Sequence, residues 1–484
     1  MKPTKLITNL NKSTFYKNVF KLISSTLGAQ MITLLSMPLI TRLYSPTEFG
    51  ILAIFMMLTT ILSSVSSLRY ELAINLCNNK DKSKVVLFLT TVIYVSFTVL
   101  ISIPSLFYSK EISIYLGNEK LSDYLFLIPI LLILVNFNRV LTYWVLRNKD
   151  FSLIARIKIS QSISQILIQI FGFRLGVLGL IIGYFSSQIF GVYTLFKYAL
   201  KTKAYIIPKK KQIVWAIIKY KNFPIYSTWA TLLDNFSGKI PILLLTILYN
   251  PYYAGLYAFA DKILLAPITL VGQSIGNVFY AEASQVKNNT NLSKLALQVF
   301  NILVQVISPL LVLLFLTAPI LFNLLFGEKW EEAGYYFRYL SPLFFLLFVF
   351  TPISNIYYIL NKQKQWGYFQ ILLLVSGVLF IFIGHTTSNI DTSIILFSIS
   401  QSFCWLLIID YIFSVLNIQR KIYLHMFFSN FLISLLITLP ATIGFLYSNK
   451  DFHVPLLIGI CISLLLILFK NRKLIWKKNH EKII

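Results

Sequence analysis

The chain has 484 residues, 57% of them hydrophobic and only 12% charged, with a mean hydropathy of +0.74. Soluble domains sit near half apolar and a quarter charged, so this balance excludes a soluble enzyme, a coiled coil, a disordered chain and a secreted disulfide scaffold. It also excludes an outer-membrane barrel, whose alternating strands would dilute the hydrophobicity. Lys and Arg number 43 against 17 Asp and Glu, a net charge of +26. In a soluble protein that excess would point to nucleic acid. In a membrane protein it reflects basic cytoplasmic loops, and no nucleic-acid partner is expected.

Fourteen apolar stretches follow in chain order, at roughly 18–43, 50–76, 85–108, 121–146, 153–173, 176–197, 223–249, 253–281, 295–317, 337–360, 366–384, 391–413, 423–446 and 452–470. Most reach the ~20 residues that cross a hydrocarbon core. The first follows a basic leader (Lys2, Lys5, Lys12, Lys17, Lys21) but no small-residue cleavage site, so it is expected to be a retained helix. If the N-terminus is cytoplasmic, thirty-two of the basic residues fall in inside segments. Seven fall outside: Arg42, Lys110, Lys120, Arg174, Lys329, Arg338 and Lys450. The positive-inside rule therefore predicts two cytoplasmic termini. The central inside loop, 198–222, holds seven lysines and is expected to set orientation and to meet anionic lipid heads.

Four basic residues remain, inside the second, fourth, seventh and eighth stretches: Arg69, Arg139, Lys239 and Lys262. Near them stand Glu71, Asp234 and Asp261. A charge at membrane depth costs at least ~2.5–3.5 kcal/mol on the most lenient scale, so such residues face water or one another. On a continuous helix Arg69 and Glu71 would lie ~200° apart and could not reach one point. Glu71, near the cytoplasmic end, would then snorkel. Thr231, Asp234, Asn235 and Gly238 share one helical face, and Thr269, Gln273 and Asn277 form a line on the eighth stretch. The plainer alternative is that these charges are ion pairs locking helices together, for example Asp234 with Arg69. Gln161, Gln165 and Gln169 read as interhelical hydrogen bonding, and Gly172, Gly176, Gly179 and Gly183 as close helix packing.

An internal repeat emerges at an offset of 205 residues. LYSPTEFGILA (Leu43–Ala53) and LYNPYYAGLYA (Leu248–Ala258) share Leu, Tyr, Pro, Gly and Ala in register. A looser echo pairs YLGNEK (Tyr115–Lys120) with LFGEKW (Leu325–Trp330). Six stretches separate the copies, so they share an orientation. The expected architecture is an all-α polytopic membrane protein of about 14 transmembrane helices. It comprises a six-helix lobe at 1–200, a basic cytoplasmic linker at 201–222, a second six-helix lobe at 223–415, and two extra helices with a basic tail at 416–484. Catalytic signals are absent: His385, His425, His453 and His480 stand at predicted helix ends or in loops, and no H-E-x-x-H, G-x-S-x-G or Walker A pattern occurs. Cys77, Cys404 and Cys461 show neither metal nor disulfide spacing.

The opening LISSTLGAQMITLLSMPLITRLYSPTEFGILAIF, followed by SLRYELAI, resembles the start of Wzx-type polysaccharide flippases, in the superfamily of multidrug and lipid-linked oligosaccharide exporters. The TRLYSPTEFG turn and the triplet Arg69–Tyr70–Glu71 carry the resemblance. It implies a non-enzymatic flippase in a bacterial cytoplasmic (inner) membrane. That flippase moves undecaprenyl-diphosphate-linked oligosaccharide to the outer leaflet for O-antigen, capsule or exopolysaccharide assembly. It implies a cationic central cavity with Arg69, Lys239, Lys262 and, less centrally, Arg139 on the substrate, and with Asp234, Asp261 and Glu71 as counter-ions or ion-coupling sites. No cofactor is expected; the implied drive is a proton or sodium gradient, and the implied partners are membrane lipids, a polysaccharide polymerase and a chain-length regulator. Three alternatives stay open, one of them a scaffold component of a synthesis complex with no transport of its own. A multidrug or cation antiporter of the same superfamily would favour carboxylates and aromatics in its cavity. A membrane glycan polymerase or ligase would need a long outer loop with catalytic residues, and the longest one here spans only about 318–336.

Overall fold

The computed structural model describes residues 12–446, apart from 273–274, 277–278, 280–281, 284–288, 355 and 361, together with 455, 458–463 and 465–467. Among the described residues every regular element is a helix. Thirteen are long: α1 (Lys12–Leu43), α2 (Pro46–Ser66), α3 (Lys80–Phe107), α4 (Leu127–Arg147), α5 (Phe151–Phe171), α6 (Val177–Lys201), α7 (Thr228–Leu248), α8 (Pro251–Pro267), α9 (Asn289–Phe326), α10 (Glu331–Phe350), α11 (Gln363–His385), α12 (Ile390–Val415) and α13 (Arg420–Leu446). Eleven helices, all of these but α1 and α5, are long and apolar enough to cross a membrane. Helix α5 carries Arg156, Lys158 and three glutamines, and α1 carries a run of Ser, Thr and Gln. The chain is a polytopic all-α membrane protein. The predicted fourteenth span, 452–470, lies only partly within the described residues, as an apolar piece at Ile458–Ile467.

Several boundaries differ from the periodicity. The second span stops at Ser66, ten residues short of the predicted end. Turns of π-helix at Phe223–Ser227 and Ile268–Gly272 precede α7 and extend α8. Helix α9 runs for 38 residues through Pro309 and Pro319. Helix α10 begins at Glu331, so Arg338 belongs to a spanning helix rather than to an outer loop. The chain divides into two compact units, Met1–Ala258 and Phe259–Ile484.

In the first unit α5 packs between α1 and α6, and α4 packs on α2, α3 and α6. Small residues make the α5–α6 crossing close. A Cβ on Gly179 would overlap the Gly172 carbonyl, and one on Gly183 would meet the Gln169 side chain. Gln169 Nε2 donates to the Leu180 carbonyl (3.2 Å), and the Gln169 carbonyl accepts from the Tyr44 hydroxyl (2.6 Å). The core gathers around buried Tyr94, Leu141, Trp144 and Leu195. The basic segment 201–222 is not a free tether. Its short helix Lys210–Lys219 inserts Ala216, and with it Ala204 and Tyr220, into that core. Lys82 and Lys219 stand 5.3 and 5.1 Å from the Trp215 ring centre, and the Trp144 indole donates to Thr202 (2.9 Å).

In the second unit α9 packs on α10 and α13, and α12 on α10 and α11. Phe259, Phe322, Phe326 and Trp330 interlock edge to face, with centroids 4.5–5.8 Å apart. At the other end of α12, Asp410 accepts two bonds from Arg420 (2.5 and 2.8 Å) and one from Tyr423 (2.7 Å), tying α13 to α12.

Candidate functional site: a cationic seam at the break of the second helix

Helix α2 begins with a capping box. Ser45 Oγ accepts from the Glu48 amide, and the Glu48 carboxylate accepts from the Ser45 amide (2.6 Å). The helix ends when Leu68 and Arg69 take left-handed backbone conformations, φ 48° and 61°. That costs about 1–2 kcal/mol for each L-residue. A 3₁₀ turn, Tyr70–Leu72, and one helical turn, Ala73–Leu76, complete the segment. The neighbours hold it: Arg147 Nη1 and Ser83 Oγ both donate to the Ile74 carbonyl (3.0 and 3.1 Å). Burial pushes the Tyr70 phenol up from its ordinary range.

The break changes which side chains meet. Arg69 Nη1 lies 3.3 Å from Glu71 Oε1, and Ser67 Oγ donates to Glu71 Oε2 at 2.6 Å. The helical-wheel expectation that the two charges diverge fails because no continuous helix passes through them. The expectation that Glu71 snorkels fails too: its side chain is 0% exposed, whereas Arg69 keeps 21%. Glu71 is the counter-ion of Arg69.

One turn earlier, Arg139 on α4 donates to the Ser63 carbonyl (2.9 Å) and to Ser63 Oγ (2.6 Å), and Ser63 Oγ donates to Asn136 Oδ1 (3.0 Å). Asn138 Nδ2 reaches Gln188 of α6 (3.0 Å). Arg139 thus clips α4 onto α2 while placing a second guanidinium beside the Arg69–Glu71 pair. Tyr143 is within electrostatic reach of Glu71, Arg69 and Arg139. Two guanidinium groups share one carboxylate, so the seam carries one unneutralised positive charge. Two of its buried donors, Arg69 Nε and Asn136 Nδ2, have no protein acceptor. Chemically this is an anion-holding arrangement with donors to spare.

The other predicted residues are placed as follows. On α7, Asp234 and Gly238 are exposed and Lys239 is half-buried; Asn235 Nδ2 bonds the Thr231 carbonyl (2.9 Å). Among the described residues no ion pair joins Asp234 to Arg69. On α8, Asp261 is half-buried and Lys262 exposed. Thr269 bonds back to the Ala266 carbonyl (3.0 Å), while Gln273 and Asn277 lie outside the described residues. Sequence reasoning places Ser63 on one face of the second stretch with Thr59, Ser66 and Tyr70, but it missed Ser67 and Asn136, which have no charge to announce them. It also counted Lys158 with a loop, although Lys158 sits in α5 and bonds Thr26 of α1 (2.8 Å).

The stacked apolar helices define a polytopic all-α membrane fold, and solved structures share it. The fold is similar to that of "Lipid II flippase MurJ, inward closed conformation", at 14% identity and a TM-score of 0.70 over 94% of this chain and 99% of that one. It is similar to a multidrug resistance MATE family transporter of the MOP superfamily, inward-facing, at 16% identity and a TM-score of 0.59 over 82% and 94%. A MOP superfamily transporter from Pyrococcus furiosus also matches, at 16% identity and a TM-score of 0.55 over 83% and 96%. These neighbours are transporters and a flippase, not enzymes. No curated protein matches the sequence. The family described as "Polysaccharide biosynthesis protein" matches residues 39–334, more than half of the chain, and the chain belongs to that family.

Proposed function

We propose that this protein flips polyprenyl-diphosphate-linked oligosaccharide units from the cytoplasmic to the outer leaflet of a bacterial inner membrane, for assembly of a surface polysaccharide such as O-antigen or capsule. The observation that carries the reading is the unneutralised positive charge of the Arg69–Glu71–Arg139 seam, in a chain of the polysaccharide biosynthesis family. A diphosphate and a glycan cannot cross hydrocarbon unaided. Guanidinium groups offer phosphate a matched fork, and Arg69, the partly exposed member of the seam, is the group we assign to the phosphate. Arg139 supports it, and Lys239 and Lys262 supply further cations along the substrate's path. The family is described by polysaccharide biosynthesis, which favours a lipid-linked sugar over a drug as cargo.

Alternating exposure of that path to the two faces of the membrane moves the head group. The drive we assign is a proton or sodium gradient, taken up at Asp234 and Asp261. A cation arriving at a carboxylate changes the local charge that phosphate meets. A polysaccharide polymerase and a chain-length regulator would take the product. The decisive experiment uses the purified protein in vesicles holding lipid-linked oligosaccharide. Accessibility of the sugar to an external, impermeant glycosidase should rise with protein and with an imposed gradient. If accessibility stays at the protein-free level while the same vesicles export a cationic dye, the antiporter reading replaces this one.

A further inference from the structure

A cavity opens within the second unit. It is a groove of about 470 Å³ between α9, α10 and α12, within the size range of small-molecule sites. Its walls are almost wholly apolar, from Phe315, Pro342, Ile395, Ile399, Phe403 and Leu406. Four residues with polar groups break them: Arg338, Tyr339, Ser398 and Ser402.

Arg338 is placed by the helix kink opposite. Pro319 has no N–H, so the Phe315 carbonyl four residues earlier loses its helical donor. Gly334 lets α10 approach that point, since a Cβ there would lie 2.5 Å from Pro319 Cα. One turn further on, Arg338 Nε donates to the freed Phe315 carbonyl (2.7 Å) and Nη2 to the Leu316 carbonyl (2.9 Å). The rings of Phe315 and Tyr335 flank the guanidinium at 5.8 and 5.5 Å. The group is therefore held by two hydrogen bonds and has no carboxylate partner among the described residues. Its Nη1 makes no hydrogen bond there. Asp391 lies in the first turn of α12, where the N-terminal helix dipole already favours it.

The serines point the same way. A helical serine ordinarily bonds back to a carbonyl three or four residues earlier, as Ser400 and Ser414 of the same helix do to Phe397 and Tyr411. Ser398 is 2% exposed, and its hydroxyl has no partner; neither has that of Ser402 one turn on. Both line the groove. From Ile395 to Leu406 the groove follows α12 for about 16 Å, roughly one leaflet of a ~30 Å hydrocarbon core. Tyr339, which lines it, is within electrostatic reach of both Arg338 and Asp391, so the cation stands toward the α12 start. The rim residues Ile399 and Phe403 are 59% and 62% exposed, so the groove is open along its side.

We propose that this groove is a binding site for one anionic phospholipid, with its phosphate on Arg338, one acyl chain along α12, and ester oxygens accepting from Ser398 and Ser402. A bilayer supplies this ligand from the side, a single fixed cation matches a single phosphodiester, and one chain fills an apolar slot one leaflet deep.

The test is native mass spectrometry of the full protein, purified in detergent and titrated with phosphatidylglycerol or phosphatidylcholine. Wild type should retain phosphatidylglycerol about 10-fold more tightly than phosphatidylcholine, a difference of about 1.4 kcal/mol. Arg338→Gln should erase the preference. Because Arg338 also caps the α9 kink and its loss could disturb folding, Ile399→Trp is the second variant. It fills the groove from an exposed position and should abolish retention while leaving the melting temperature of lipid-free protein unchanged. The proposal is overturned if wild type shows no preference, or if Ile399→Trp retains phosphatidylglycerol as wild type does. It is also overturned if undecaprenyl phosphate displaces phosphatidylglycerol at a hundredth of its concentration, which would assign the groove to the carrier lipid. None of these readings depends on flipping activity.

Discussion

At the scale of single residues, the Arg69–Glu71 pair shows how far a helical wheel can mislead. The charges were legible in the sequence, because an apolar run must account for each one. Their partnership was not, because two consecutive left-handed residues, Leu68 and Arg69, are not encoded by any glycine or proline that would flag a stop. Removing one partner of a buried pair costs about 3–5 kcal/mol, since the other charge is left uncompensated. Glu71→Ala should therefore lower the thermal midpoint in detergent sharply. Glu71→Gln, which still accepts from Ser67, should lose less. Equal midpoints for the two variants would mean that the Ser67 bond contributes nothing. For Arg69 the expected effect is on function: Arg69→Ala should abolish flipping, and Arg69→Lys should recover only part of it, since an ammonium lacks the fork. Full activity in Arg69→Ala vesicles would remove Arg69 from the substrate path.

At the scale of elements, the 205-residue repeat turns out to be a contact. The two motif copies, both inside the first unit, begin helices in the same way: Pro46 after the Ser45 cap and Pro251 after Asn250, whose side chain accepts from the Tyr252 and Tyr253 amides (2.9 and 3.3 Å). They also touch reciprocally. A Cβ on Gly50 would overlap the Pro251 carbonyl oxygen, and one on Gly255 the Pro46 carbonyl oxygen. Each motif's glycine is thus required by the other motif's proline turn. The looser echo behaves alike, with Gly117 (φ 72°) and Gly327 (φ 100°) each leading into a 3₁₀ turn. Overpacking costs typically ~1–3 kcal/mol. Gly50→Ala and Gly255→Ala should each destabilise by about that much, whereas Gly367→Ala, with open space around it, should change the thermal midpoint little. The sequence pattern revealed the helices and the repeat. It could not reveal the π turns at Phe223–Ser227 and Ile268–Gly272, which differ from α-helix in hydrogen bonding rather than in composition, or the break at Ser66, where serine and charged residues are equally compatible with a continuing helix.

At the scale of the whole molecule, the remaining expectation is orientation. The structure moves Arg338 from an outer loop into α10, and Arg156 and Lys158 from an inner loop into α5. The loop balance falls only to thirty inside against six outside, so the positive-inside argument keeps its sign. The docking of Lys210–Lys219 against Trp144 and Tyr220 fixes that cluster of charge to one end of the first unit rather than letting it swing. Labelling offers a direct measurement, because Cys77 and Cys404 are buried and only Cys461 is exposed among the native cysteines. In a Cys461→Ser background, Lys120→Cys and Lys211→Cys each add one exposed thiol, in the turn after α3 and in the 201–222 segment. An impermeant maleimide applied to intact cells should label the first at once and the second only after permeabilisation. With an odd number of helices, α4 to α6, between these two positions, the pair must label from opposite sides if each helix spans once. Labelling of both from outside would break the span count as well as the orientation, whereas reversal of the two would keep the count and place the basic segment outside. In that second case the diphosphate would meet Arg69 from the wrong face for export, because Arg69 follows α2 on the same side as the basic segment.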